Sequence, residues 1–223
     1  MDTQCNITIF VTDNDKRIAK HARSKMNPTE RVASHFQQSI ANLQTAMEPL
    51  AEPITHAADL ISQTLVNGGK MLICGNGGSA ADAQHFSSEL LNRFEAERPG
   101  LPAIAITTDA STLTSIANDY EYADVFGRQV HALGQPGDVL FVITTSGNSV
   151  NITRAVQAGH EKKMTCIALN GRDGGEVGKQ MTGKDINIVA PGASTARIQE
   201  VHGLAIHCIC DLIDWKIFGH GEA

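Results

Sequence analysis

After Gly69 the sequence settles into a rhythm that few folds satisfy. Five short apolar runs, Lys70–Cys74, Pro102–Ile106, Asp138–Ile143, Met164–Leu169 and Ile186–Val189, are each separated from the next by a helix-length segment. Runs this short and uninterrupted suit strands buried on both faces. The alternation therefore predicts a five-stranded parallel sheet with helices on both sides, an α/β fold. The helical segments fall near Ser79–Phe94, Ser111–Asn118, Ala123–Leu133, Ser149–Glu161 and Ser194–Phe218, with no internal repeat or low-complexity tract.

Ahead of the sheet, Val32, Phe36, Ile40, Leu43 and Met47 recur at helical spacing until Pro49 and Pro53 interrupt them. A second helix is expected from Ile54, Ala57, Ala58, Ile61 and Leu65, stopped by Asn67-Gly68-Gly69. Such a helical hairpin can form a dimer seam or simply cover its own core. Residues 1–25 continue neither pattern and are expected to be a poorly ordered extension, with Met26 an alternative start. Residues 26–223 then form one domain.

Composition narrows the function. Hydrophobic residues make up 42% of the 223 residues, enough for one sizeable core. The net charge of −6 comes without any block of like charge, so the chain carries no footprint for nucleic acid or an anionic membrane. Any affinity for phosphate must come from local geometry. Cys5, Cys74, Cys166, Cys208 and Cys210 are odd in number and at no metal-ligand spacing, and they read as reduced core thiols. No apolar run is long enough to span a bilayer and no signal peptide is evident, so a cytoplasmic location is expected.

In open parallel sheets ligands bind beyond the carboxyl ends of the strands, which directs attention to two loops. Cys74-Gly75-Asn76-Gly77-Gly78-Ser79 is a glycine-rich strand-to-helix turn that lacks both the dinucleotide spacing and the Lys of a P-loop. Thr144-Thr145-Ser146-Gly147-Asn148-Ser149 places four hydroxyls and a glycine at a helix start, where free N–H groups and the helix dipole favour an anion. Ser149 alone could be a helix cap. Four hydroxyls in six residues exceed what capping needs.

His85 and Glu89 lie four residues apart, about 40° around a helix, and so face the same way. Alone, such a pair is usually a solvated helix face. On the last helix Gln199 and His207 lie within about 80° of each other, whereas His202 lies about 140° from His207 and is the weaker candidate. The His/Glu pair and the Gln/His pair could together surround a borderline cation such as Zn²⁺.

The segments C-G-N-G-G-S-A-A-D-A-Q-H-F-S-S-E-L (Cys74–Leu90), T-S-G-N-S (Thr145–Ser149) and R-I-Q-E-V-H (Arg197–His202) occur in order on compatible elements. In them the chain resembles the phosphoheptose isomerase branch of the sugar isomerase (SIS) domain family, from about Thr29 to Phe218. The resemblance implies a flavodoxin-like three-layer α/β/α sandwich and a homotetramer with active sites between subunits. It implies one Zn²⁺ per subunit held by His85, Glu89, Gln199 and His207, with Glu89 and His207 as the catalytic acid/base pair. It further implies phosphate contacts from Ser79, Thr144, Thr145, Ser146 and Ser149. Asn76, Gly77, Gly78, Arg93, Asn118, Asp119 and Gln199 complete the implied substrate-binding set. Where some members carry an Asp, this chain has Ala196.

The implied reaction converts the sugar phosphate sedoheptulose 7-phosphate to D-glycero-D-manno-heptose 7-phosphate, toward lipopolysaccharide heptose. A sister branch of the same fold binds the replication initiator DnaA. The stretches Asn92–Pro99, Thr195–Glu200 and Cys210–Asp214 resemble both branches. In the known DnaA-binding member the positions of Glu89 and His207 lack a carboxylate and an imidazole, whereas this chain has both.

Overall fold

A computed structural model describes residues 27–219. The chain divides into a unit ending at Gln37 and another beginning at Gln38. Of the first, the described part is the start of helix α1 (Pro28–Val66). That start is fixed by a reciprocal cap: Glu30 N donates to Asn27 Oδ1 at 2.9 Å and Asn27 N donates to Glu30 Oε2 at 3.0 Å. Pro28 occupies the first helical position, where its missing N–H costs nothing. The expectation for residues 1–25 lies outside the described residues.

The second unit holds the sheet. Strands β1 (Met71–Gly75), β2 (Ala103–Ala105), β3 (Val139–Ile143), β4 (Thr165–Gly171) and β5 (Ile186–Ala190) form one parallel sheet in the order β2-β1-β3-β4-β5. Between and after them lie α2 (Gly78–Leu91), α3 (Ala110–Asp119), a 3₁₀ turn (Tyr122–Asp124), α4 (Gly127–Leu133), α5 (Val150–Glu161), α6 (Gly175–Gln180) and α7 (Thr195–Phe218). Every residue of β1 and β3 is buried, as uninterrupted apolar runs require of strands covered on both faces.

Side chains alternate across the sheet and build two cores. Met71, Ile73, Phe141, Ile143, Ile167 and Leu169 pack with α1, α2 and α7. Leu72, Cys74, Leu140, Val142, Cys166 and Ala168 pack with α4, α5 and α6. The result is the expected three-layer sandwich. Phe86 of α2 meets Phe141 of β3 edge to face at 5.0 Å between ring centroids, a contact that contributes about 0.5–1.5 kcal/mol beyond area burial and seats α2 on the sheet.

One expectation is corrected. Instead of a hairpin broken at Pro49 and Pro53, α1 is one helix of 39 residues running through both prolines. Each interior proline forfeits a helical hydrogen bond and costs about 3 kcal/mol. Across that interruption, however, Ala46, Leu50, Ile54, Ala57, Ala58, Ile61 and Leu65 form one buried face. Burying each large member contributes roughly 1.5–3 kcal/mol, so packing overrides the local preference. The helix expected at Ala123–Leu133 is also split, into the 3₁₀ turn and α4.

Because β1 pairs with β2 on one side and β3 on the other, the winding direction reverses between β1 and β3. Their carboxyl ends bound the crevice where such sheets bind ligands. Both candidate loops leave the sheet there.

Candidate active site

The first loop turns at Gly77, whose φ of +56° is open to glycine and strained for other residues. Gly78 opens α2 and lies so close to the Gln199 amide of α7 that a β-carbon there would overlap it. Asn76 pairs reciprocally with Asn151 of α5, each amide donating to the other's oxygen at 2.9 Å, and accepts from the Tyr122 hydroxyl at 3.2 Å. This side-chain pair ties the first loop to the helix that follows the second. Ser79 is buried in the first turn of α2.

In the second loop the hydroxyls divide into two kinds. Thr144 Oγ1 accepts from Gly147 N, and Ser146 Oγ accepts from Asn148 N, both at 3.2 Å, so these two shape the turn. Ser149 stands at the N-cap position of α5 with no side-chain capping bond, in contrast to the Ser194 hydroxyl, which does accept from Arg197 N at the start of α7. A hydroxyl at a helix N-terminus that spends no bond on its own backbone is placed to receive an external anion.

His85 and Glu89 share a helix face as their spacing suggested, and His207 joins them as the resemblance implies. Glu89 Oε1 lies 3.0 Å from His85 Nε2, and His85 Nε2 lies 3.3 Å from His207 Nε2. The two imidazoles are edge to face at 5.0 Å, and the Phe94 ring packs 5.7 Å from His207. Helices α2 and α7 run in the same direction, with Gln199 beside Gly78 at the ligand edge and His207 beside His85 deeper in. Seven residues, about 10 Å of helix, separate the levels.

Two donors bound tetrahedrally at 2.0–2.1 Å from zinc are about 3.3 Å apart. The His85–His207 and His85–Glu89 separations match that edge, and two imidazoles with a carboxylate are a suitable donor set for zinc, so these residues fit the metal that the resemblance implies. His160, Cys166 and Asp185 are a second group that could hold a metal ion, their ligand atoms lying within 4.8 Å of one another. They lie at the amino ends of the strands, away from the crevice. Sequence spacing did not reveal this trio because its members come from α5, β4 and the turn before β5.

Other expected residues do not join the cluster. Arg93 is exposed and bonds within its own loop, to Glu95 O at 2.9 Å and toward Glu97 at 3.6 Å. Asn118 and Asp119 bond to each other at 2.9 Å on the exposed last turn of α3. His202 is fully buried, its Nε2 2.9 Å from Asn170 O, and burial pushes its pKa down, so it is a core histidine. Cys74 and Cys210 are buried thiols whose pKa burial pushes far up. Sequence reasoning missed Asn151, Tyr122 and Asp82. Asp82 stands one turn before His85; burial raises its pKa against the opposing influence of His85, and its Oδ2 is buried without a partner.

Residues 35–171 match the SIS domain family. A phosphoheptose isomerase of Alkalilimnicola ehrlichii is 60% identical over 194 residues, covering 87% of this chain and 99% of that protein. The solved structure of a phosphoheptose isomerase from Neisseria gonorrhoeae superposes with a TM-score of 0.80 at 52% identity, covering 84% of this chain and 99% of that one. One from Francisella tularensis gives 0.82 at 46% identity, covering 85% and 99%.

Proposed function

The chain belongs to the SIS domain family, and we propose that it is an aldose–ketose isomerase converting sedoheptulose 7-phosphate to D-glycero-D-manno-heptose 7-phosphate through an enediolate. Its curated relatives are named phosphoheptose isomerases, and it is a sugar-phosphate isomerase like them. The heptose it makes feeds lipopolysaccharide synthesis. The observation that carries the proposal is the meeting of Glu89, His85 and His207 from two helices beside a hydroxyl-lined anion cradle. The roughly 10 Å between the two levels supports a long substrate, since a seven-carbon chain built from bonds of about 1.5 Å spans a similar distance.

In the mechanism, Thr145, Ser149 and the first N–H groups of α2 and α5 hold the phosphate. The Glu89 carboxylate removes the C1 proton, and His207 gives a proton to the oxygen on C2 as charge develops there. The O1 proton then leaves and C2 is protonated, so the carbonyl moves from C2 to C1 with no net gain or loss of protons. His85, bonded to Glu89 and facing His207, keeps the pair in register. A zinc ion held by His85, Glu89 and His207 would polarise the substrate oxygens, while Gln199, the fourth implied ligand, stands at the level of Gly78.

We assign the working form as a homotetramer. Two features support this: the exposed Val32, Phe36, Ile40 and Met47 along α1, and an apolar groove of about 710 Å³ beside His207 that Met47 and Leu204 help to line. Among the described residues no helix is long and apolar enough to cross a membrane, which is compatible with a cytoplasmic location. The test is zinc-supplemented turnover of sedoheptulose 7-phosphate with the product identified by NMR and mass. The heptose 7-phosphate is expected. Absence of turnover together with tight DnaA binding would favour the sister function.

A further inference from the structure

Two stretches singled out in the sequence, Asn92–Pro99 and Cys210–Asp214, supply none of the groups assigned above to proton transfer or phosphate binding, yet they meet through Arg98 and Asp214. The Arg98 side chain is 2% exposed and its Nε donates to Asp214 Oδ1 at 2.8 Å. Its Nη2 donates to the backbone carbonyl of Glu89 at 2.8 Å, and its Nη1 to that of Leu90 at 2.7 Å, with Asn92 O at 3.3 Å and Pro99 O at 3.2 Å. Helix α2 ends at Leu91, so beyond Ser88 O, which accepts from Asn92 N, its last carbonyls have no helical partners, and Leu90 O accepts from Leu101 N as well as from Arg98. A guanidinium placed there replaces the missing turn and sits at the negative end of the helix dipole.

Asp214 lies seven residues beyond His207 on α7, two turns along nearly the same face. The contacts between α2 and α7 thus form three levels: Gln199 beside Gly78, His207 beside His85, and Asp214 joined through Arg98 to the end of α2. The lowest level grips the backbone of Glu89 itself. A buried ion pair adds little net stability once desolvation is counted, which leaves its fixed, multidentate geometry as the main thing it contributes.

We infer that Arg98, locked by Asp214, is a positioning residue that fixes the separation between Glu89 and His207. The inference rests on the isomerase reading for its kinetic consequence, but not for its structural one. A misplacement of about 1 Å in a catalytic group can cost up to ~100-fold in rate. Phosphate binding, at the far ends of α2 and α5, should be left alone.

The test compares Arg98→Lys with Lys70→Gln, which breaks another largely buried ion pair (Lys70 Nζ to Asp138 Oδ2, 2.5 Å) at the amino ends of the strands. Arg98→Lys keeps the charge, but one ammonium cannot span Asp214 and the carbonyls together. It should lower kcat roughly 10- to 100-fold while KM and inhibition by inorganic phosphate change by less than about threefold. Amide exchange from Glu89 to Asn92 should quicken about tenfold, and Lys70→Gln should show neither effect. Asp214→Asn serves as the second variant, with the same pattern expected. Retained kcat, or an equal loss in Lys70→Gln, overturns the inference. If the parent protein does not isomerise sedoheptulose 7-phosphate, the substrate reading fails separately, and unchanged exchange at Glu89–Asn92 then overturns the clamp.

Discussion

The proposed anion cradle and the proposed acid/base cluster are built in opposite ways. The cradle comes from two short contiguous segments, residues 75–79 and 144–149, each carrying its own turn chemistry and each delivered to the crevice by the adjacent parallel strands β1 and β3. The cluster joins His85 and Glu89 to a residue 118 or more positions away, and it exists only because α2 and α7 pack side by side on one face of the sheet. A locally encoded site tolerates remote change. A site made between helices is only as accurate as the packing that brings them together.

This contrast predicts how each region breaks. Glu89→Gln keeps the size and a hydrogen-bonding oxygen but removes the base, and kcat for sedoheptulose 7-phosphate should fall by roughly 100- to 10,000-fold with the oligomer intact by light scattering. An unchanged rate would remove Glu89 from its role. Ser149→Ala deletes one uncommitted hydroxyl from the cradle. Losing a hydrogen bond to a charged group costs about 1.5–3 kcal/mol, so KM should rise roughly 10- to 100-fold with kcat nearly unchanged. A fall in kcat alone would mean that Ser149 acts on the chemistry and would erase the distinction drawn above.

The smallest effect concerns His202, which joins α7 to the end of β4 through Asn170. Burial lowers its pKa in the folded protein, so below the ordinary value near 6.5 the unfolded chain takes up a proton that the folded one refuses. Stability should fall as pH drops through that value, by at most about 1.4 kcal/mol per pH unit from this residue. The urea midpoint should decline less between pH 7.5 and 5.5 in His202→Gln than in the parent. Parallel declines would show that His202 is not the group responsible.

Much of this molecule could be read without coordinates. All five strands fell within two residues of their observed ends, because fully buried parallel strands advertise themselves as apolar runs. The pairing of His85 with Glu89 followed from helical geometry alone. What misled was the local signal of Pro49 and Pro53, whose penalty is real but smaller than the burial available to an unbroken α1. Asn151 hid because its importance lies in facing Asn76 across the crevice, and Arg98 because its partners are backbone carbonyls, which no sequence pattern displays.

By itself the sequence determined the strands, the two loops proposed to cup an anion and the helix on which His85 and Glu89 share a face. All of these depend on residues within a few positions of one another, where backbone geometry is nearly fixed. Only the tertiary structure decided that Arg98 and Asp214 tie the two helices together and that α1 runs straight through its prolines. Those outcomes depend on which helix faces bury against the same sheet, a competition among distant contacts that no local stretch of chain contains.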